Sequence, residues 1–212
     1  MKLIGKFDSP FVRRVAISLD HFGLHFEHAD WSVGADFARI LEFCPLGRVP
    51  VLVLDDGDVL TESAAILDYL DEVVGSTRAL LPPQGLSRRE SLRIMAFATG
   101  AVDKAREIVY EHRRPADKAY EDWVSRCRRQ MHGALAQIES VCLRRASHKW
   151  LVEERMTQAD ITVACMLTFL RESGALVSEA AHYPVLGAHT ARCEALPLFQ
   201  DNHLPWFSFT PQ

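Results

Sequence analysis

No Cys-x-x-Cys pair occurs among the five cysteines, which lie at 44, 127, 142, 165 and 193, so neither a redox dithiol nor a zinc knuckle is written into this chain. The odd, scattered set fits a reducing, cytoplasmic setting, and Cys127, Cys142 and Cys165 fall within helical patterns and read as small buried hydrophobes. There is no His-Glu-x-x-His. His21 and His25 are four apart but straddle a helix-to-strand break, so with His28 they make no metal group, and no metal is expected. No apolar run reaches about 18 residues, which leaves no candidate membrane span. The opening Met1-Lys2-Leu3-Ile4-Gly5-Lys6-Phe7 is too short and too charged for a signal peptide. A net charge of -4 gives no attraction to nucleic acid or to an anionic membrane. The arginine pairs at 13/14, 88/89, 113/114, 128/129 and 144/145 read as solvated helix faces.

With 212 residues, 48% of them hydrophobic and 25% charged, the chain has the composition of one large or two modest globular domains. The stretch 1–75 alternates strand and helix signals. Lys2 to Phe7 is a short strand, and Pro10 to Phe22 is a helix with Phe11, Val15, Ile17 or Ser18, and Phe22 on its apolar stripe. His25 to Asp30 is a second strand and Ala35 to Phe43 a poorly capped helix. A hairpin follows, and Glu62 to Val74 is a helix with Ala65, Ile66, Tyr69, Leu70 and Val73 at helical spacing. The order βαβαββα predicts a small mixed sheet carrying helices. Residues 76–86 contain Leu80-Leu81-Pro82-Pro83-Gln84-Gly85, a linker signal, because two prolines and a glycine cannot continue a helix. Over 87–212 the strand signals stop. Amphipathic patterns at 87–113, 116–145, 158–173 and 184–195 predict an all-helical bundle domain. The third of these opens on Thr157-Gln158-Ala159-Asp160, the form of a capping box, with Met156 and Ile161 placed for a hydrophobic staple.

Two segments of the first domain carry chemistry. Ser9-Pro10 is an N-cap followed by proline at the first helical position. The cap suffices to explain the serine. Its O–H, however, remains available to donate outward. A thiolate placed there would gain that hydrogen bond and the positive end of the helix dipole, both of which lower a thiol pKa from ~8.5. The second segment, Arg48-Val49-Pro50 to Glu62-Ser63, is an apolar run, an Asp-Gly turn, a second apolar run and a helix start. Pro50 belongs at the first strand residue, and X-Pro is where a cis bond is cheap; a cis bond would turn the Val49 backbone outward to pair with an extended ligand. Glu62-Ser63 reads either as ordinary capping or as a grip on an amino-acid-like end of a ligand. Together the segments outline a site for a thiol peptide.

Ser9-Pro10-Phe11-Val12-Arg13-Arg14-Val15, Pro45-Leu46-Gly47-Arg48-Val49-Pro50-Val51-Leu52, Glu62-Ser63-Ala64-Ala65-Ile66, Thr157-x-Ala159-Asp160 and Tyr183-Pro184-x-Leu186 to Leu196-Pro197 resemble the soluble glutathione transferases of the serine type, in order and over nearly the whole chain. The resemblance implies a thioredoxin-like N-terminal domain that binds glutathione as co-substrate, a helical C-terminal domain that shapes a pocket for a small hydrophobic electrophile, and a homodimer. It further implies Ser9 as donor to the glutathione thiolate, Val49 before cis-Pro50 as backbone partner of the cysteinyl moiety, and Glu62 with Ser63 as holders of the γ-glutamyl group. Arg48 would meet the glycyl carboxylate. Phe11 is a further candidate beside the ligand, and Phe97, Arg106 and Tyr110 are candidates for the electrophile pocket.

Some residues depart from the family pattern. Asp8 puts a negative charge beside the expected thiolate, which opposes its formation, and Cys44 stands where asparagine is common. With no tyrosine near the start and no cysteine in place of Ser9, the tyrosine-type and cysteine-type branches are disfavoured. Two alternatives stay open: a non-catalytic interaction module on the same fold, like the stringent-starvation proteins, and a glutathione-dependent peroxidase or dehalogenase. The aromatic tail Trp206, Phe207, Phe209 reads as docking on the protein body or lining the electrophile pocket.

Overall fold

The structure is a computed structural model and describes residues 1–176 and 182–206. It forms two compact units, Met1–Pro83 with residues 195–206 of those described, and Gln84–Glu194.

The first unit is built on four short strands, β1 (Lys2–Ile4), β2 (Glu27–Ala29), β3 (Val51–Val53) and β4 (Val59–Thr61), paired in the order β2-β1-β3-β4. β1 runs parallel to β2, with Leu3 opposite His28, and antiparallel to β3, with Leu3 opposite Leu52. A parallel pair needs a crossover, which α1 (Pro10–Phe22) supplies. Its end is set by Gly23 at φ 70, whose N–H bonds the Asp20 carbonyl at 3.0 Å, while Leu24 N–H reaches the Leu19 carbonyl at 3.0 Å; this double closure is the usual glycine stop of a helix. The β3–β4 hairpin turns where the Asp-Gly signal lies. Leu54 N–H bonds the Asp58 carbonyl at 2.8 Å, and Gly57 takes φ 91 between them. Two more helices, α2 (Phe37–Leu41) and α3 (Ser63–Val74), complete the thioredoxin-like arrangement. Ile4, Ala29, Ile40, Cys44 and Val51 form one buried cluster, covered by Trp31, Phe43, Val49, Val53 and Val59. Cys44 is thus a core side chain.

The second unit contains α4 (Gly85–Glu111), a one-turn 3-10 helix (Ala116–Lys118), α5 (Glu121–Arg144), α6 (Gln158–Glu172) and α7 (Pro184–Glu194). Every residue of α6 from Gln158 to Leu167 is buried, as a helix enclosed by others must be. Its start is the expected capping box. The fully buried Asp160 carboxylate accepts the Thr157 N–H and hydroxyl, each at 2.8 Å, through one oxygen and the Leu151 N–H at 2.9 Å through the other. The Glu139 carboxylate on α5 likewise accepts the Val185 and Leu186 N–H groups at the start of α7.

Three features differ from the sequence expectation. First, the segment expected to link the domains is anchored: Leu80 and Leu81 are buried, and their N–H groups bond the Asp71 carboxylate at 2.8 and 3.0 Å. Two prolines stop a helix, but they do not free the chain when a carboxylate holds the adjacent amides. Second, not all of 87–212 belongs to the helical unit. A four-residue helix α8 (Pro197–Gln200) packs on α1, with Phe199 fully buried. Third, Arg13 and Arg14 are buried, 2% and 4% exposed, and are not a solvated pair. Arg13 explains α8: its Nε bonds the Asn202 carbonyl at 2.8 Å and its Nη2 the Phe199 carbonyl at 2.9 Å, filling acceptors that the end of so short a helix leaves open. Of the aromatic tail, Trp206 is half-buried; Phe207 and Phe209 lie outside the described residues.

Candidate functional site

The sequence-nominated residues of the first unit gather around the starts of α1 and α3. Ser9 is the N-cap of α1, with extended backbone at φ -75 and ψ 120, and its carbonyl accepts the Arg13 N–H at 2.9 Å. Its hydroxyl makes no capping bond. The 13-residue helix therefore presents a half-buried serine at its positive end, its O–H without a partner among the described residues. Asp8 beside it is also half-buried.

Gly5 brings the second segment up to the first. It sits at the end of β1 with φ +129, and a Cβ built there would lie 2.6 Å from Val12 Cγ2 and 2.9 Å from Val49 Cβ. Only glycine allows α1 and the Val49 backbone to approach this closely. The Val49–Pro50 bond is cis. Among the described residues, neither the Val49 N–H nor its carbonyl has a hydrogen-bond partner within the chain, so both backbone groups are available to an extended ligand.

At the start of α3, Glu62 takes φ 66, a left-handed conformation rare for a residue with a Cβ, and its carbonyl accepts the Ile66 N–H at 3.1 Å. The Glu62 side chain meets Arg48 Nη1 at 3.0 Å on the surface. Ser63 faces inward: its Oγ receives Arg14 Nε at 3.1 Å and Nη2 at 2.6 Å. The Arg14 guanidinium also lies 5.9 Å from the centre of the Phe11 ring. Phe11 is half-buried and does not belong to the closed core stripe, whereas Val12, Val15 and Ile17 are buried.

Arg14 is the residue that sequence reasoning missed. Read as half of a surface pair, it is a buried cation joining α1 to α3. The available signal was its setting, because Val12, Val15, Ala16 and Ile17 flank the arginine pair on both sides along the helix. Of the other nominated residues, Arg106 pairs with Asp103 at 3.8 Å along α4, Phe97 is half-buried and Tyr110 is exposed. His28 stacks on Phe7 at 3.9 Å and donates from Nε2 to the Gly5 carbonyl at 2.8 Å. Among the described residues no group of three or more His, Cys, Asp or Glu side chains is arranged so that it could hold a metal ion, and no helix is long and apolar enough to cross a membrane.

The other ionisable cluster is buried in the second unit. His189 Nε2 lies 3.5 Å from Asp160 Oδ1 and 3.7 Å from Cys193 Sγ, and Arg192 Nη2 is 3.4 Å from His189 Nδ1. Burial, followed by the Arg192 charge, lowers the His189 pKa to about 4. Burial also pushes the Asp160 carboxyl and the Cys193 thiol upward. A neutral imidazole beside a protonated thiol is a packed polar core, closed to any substrate.

Comparison with known proteins places the chain among relatives of one family. The family models described as "Glutathione S-transferase, N-terminal domain" and "Glutathione S-transferase, C-terminal domain" match residues 3–78 and 100–197. The chain is 33% identical over 171 residues to the uncharacterized GST-like protein YibF of Escherichia coli K12, covering 80% of this chain and 82% of that protein. A crystal structure of a glutathione S-transferase from Methylobacterium radiotolerans in complex with glutathione sulfonate superposes with a TM-score of 0.90 at 27% identity, covering 100% of this chain and 97% of the other. A glutathione transferase family member from Pseudomonas fluorescens Pf-5 with bound glutathione gives 0.83 at 31% identity, covering 96% and 98%.

Proposed function

The chain belongs to the glutathione S-transferase family, and within it we propose a serine-type transferase that binds reduced glutathione on the first unit, ionises its thiol and joins the sulfur to a small apolar electrophile. The observation that carries this reading is the Ser9 hydroxyl, which caps no amide of its own helix and stands at that helix's positive end. There it would donate to a thiolate, and the dipole would favour the same charge. The thiol proton leaves to solvent, and the thiolate sulfur then forms the new bond to the electrophilic carbon as the bond from that carbon to its leaving group breaks, the leaving group (halide, for a halonitroarene) departing with the bonding pair. No general base is required, because the thiolate is already the populated form once its pKa falls below the working pH. The unpaired Val49 backbone would receive the cysteinyl moiety, Glu62 and Ser63 the γ-glutamyl end, and Arg48 the glycyl carboxylate; Phe11 would flank the peptide. A homodimer in a reducing cytoplasm completes the proposal.

Isothermal titration with reduced glutathione, followed by turnover with a halonitroarene, tests it. Binding below millimolar concentration together with conjugation supports the transferase reading. A second reading, a non-catalytic interaction module, draws on Asp8, whose half-buried position beside Ser9 opposes a neighbouring anion. That reading predicts no binding at millimolar glutathione.

A further inference from the structure

A second concave region in the first unit borders the C-terminal end of α1. It is a cleft of about 500 Å³, walled by that helix end, the approach to β2, the turn after α8 and Phe7, and it includes none of Ser9, Val49, Pro50, Glu62 or Ser63. Its size suits a small molecule, since ligand sites span about 300–1,000 Å³.

The polar wall consists chiefly of acceptors. Asp20 near the end of α1 and Asp201 after α8 are both exposed, and Asp201 has no hydrogen-bond or ion-pair partner among the described residues. Asn202 is only 2% exposed. Its Nδ2 donates to Asp20 Oδ2 at 2.7 Å and to the Leu198 carbonyl at 3.0 Å, which uses both amide protons and fixes which side of the amide is oxygen. The Oδ1 has no partner among the described residues. A bare acceptor on so enclosed a side chain calls for a donor. Gly23, on the same wall, ends α1, and the negative pole of a helix favours positive charge. Among the described residues no lysine or arginine lines the cleft; Arg13, which reaches this turn, is 2% exposed and donates to the Asn202 and Phe199 carbonyls. The apolar wall is aromatic. Phe7 and His28 stack with ring centres 3.9 Å apart and planes 5° from parallel, and Phe26 and His25 border the same space.

We propose that this cleft binds a small aromatic amine in its protonated form, the ammonium held by Asp20, Asp201 and Asn202 Oδ1 and the ring set against Phe7 and Phe26. An ammonium has three donors and no acceptor, which matches three acceptors on one wall. The flat ring matches the aromatic wall, whose faces also attract the cation. A carboxylate on the same ring would meet two like charges, and a bare alkylamine would leave the aromatic wall uncovered. Residues 207–212 contain no lysine or arginine, so they offer no cation of the chain's own. The inference stands apart from the glutathione reading.

The test is isothermal titration at about pH 8, where histidine is ordinarily neutral and an alkylammonium charged. The probes are tryptamine; indole-3-propionate, which carries a carboxylate on the same ring; and ethylamine, which has the ammonium and no ring. Tryptamine should bind below millimolar concentration, at least about tenfold more tightly than either other probe, and saturating glutathione should leave its affinity unchanged. Asp201→Asn and, separately, Asp20→Asn should weaken tryptamine about three- to tenfold, the cost of one charge-assisted contact. A thermal melt accompanies each variant, and Asp201→Asn, at an exposed position, carries the test if Asp20→Asn does not fold. Tryptamine that fails to bind at millimolar concentration, is displaced by glutathione, or binds the folded variants as tightly as wild type overturns the proposal. Either other probe binding as tightly as tryptamine overturns it as well.

Discussion

Arg48 and Glu62 meet at 3.0 Å on the surface of the first unit, both side chains more than half exposed. The pair joins the residue before Val49 to the N-cap of α3. An exposed pair of this kind is worth about 0–1 kcal/mol and is screened by salt, so a charged ligand separates it at little cost. Arg48→Gln should therefore shift the urea midpoint by an amount equivalent to less than about 0.5 kcal/mol. The KM for glutathione should rise about three- to tenfold, the cost of one charge-assisted contact. Steady-state kinetics beside urea denaturation separates the two effects. An unchanged KM would remove Arg48 from the site.

Gly5→Ala should damage both stability and binding. The added Cβ would sit 2.6 Å from Val12 Cγ2 and 2.9 Å from Val49 Cβ, at a φ of +129 that alanine rarely adopts. Backbone strain of this type costs about 1–3 kcal/mol, and relieving the clash moves Val49. A lower melting temperature with a raised KM for glutathione is the expected result. A lower melting temperature with an unaltered KM would show that the Val49 backbone does not touch the ligand.

The capping box should matter for stability alone. Thr157→Ala removes one hydroxyl from the Asp160 carboxylate and should cost about 1–2 kcal/mol. Asp160→Ala strands the Leu151 and Thr157 N–H groups and should cost about 2–6 kcal/mol, since each of the two orphaned buried donors costs about 1–3 kcal/mol. Chemical denaturation measures both. In each variant that folds, the glutathione affinity should stay at the wild-type value.

His189 should make stability fall in acid. Its pKa is lowered to about 4 in the folded protein from an ordinary 6.5, so between these values the unfolded chain binds more protons, and stability rises with pH. The contribution is fully present above about pH 6.5 and lost as pH falls toward 4, up to roughly 3 kcal/mol. Asp160, pushed up by burial, acts in the opposite direction. The His189 part is therefore read as the difference between wild type and His189→Gln across a pH series of denaturation curves. Parallel curves would mean that His189 does not titrate in this window.

Much of this architecture is legible in the sequence because the punctuation is local. Ser9-Pro10 and Gly23 bound α1 at the residues the periodicity indicates, Asp56-Gly57 turns the hairpin, and Thr157 with Asp160 opens α6. Residues whose role depends on distant partners were not legible. Four residues of α8 give no period to read, and α8 is held by Arg13 nearly two hundred positions earlier, through bonds to Phe199 and Asn202. The prolines near 82 look like a free linker because the Asp71 carboxylate that holds the preceding amides carries no mark of that task. Within the candidate site, Ser9-Pro10 and Glu62-Ser63 are legible as helix starts, and Val49-Pro50 as the entry to a strand, which begins at Val51, one residue after the expected Pro50. Arg14 is not, since an arginine on a helix is ordinarily solvated and only the packing of α1 against α3 shows its burial.

The proposed stabilisation of a thiolate by Ser9 is read directly from the ultraviolet absorbance of bound glutathione thiolate titrated over pH in wild type and in Ser9→Ala. In wild type the midpoint should lie about one to two units below the ~8.5 of a free thiol. In Ser9→Ala the midpoint should move back toward the free value, with kcat at neutral pH falling more than glutathione affinity. A Ser9→Ala enzyme with the wild-type midpoint and full turnover at neutral pH would contradict it.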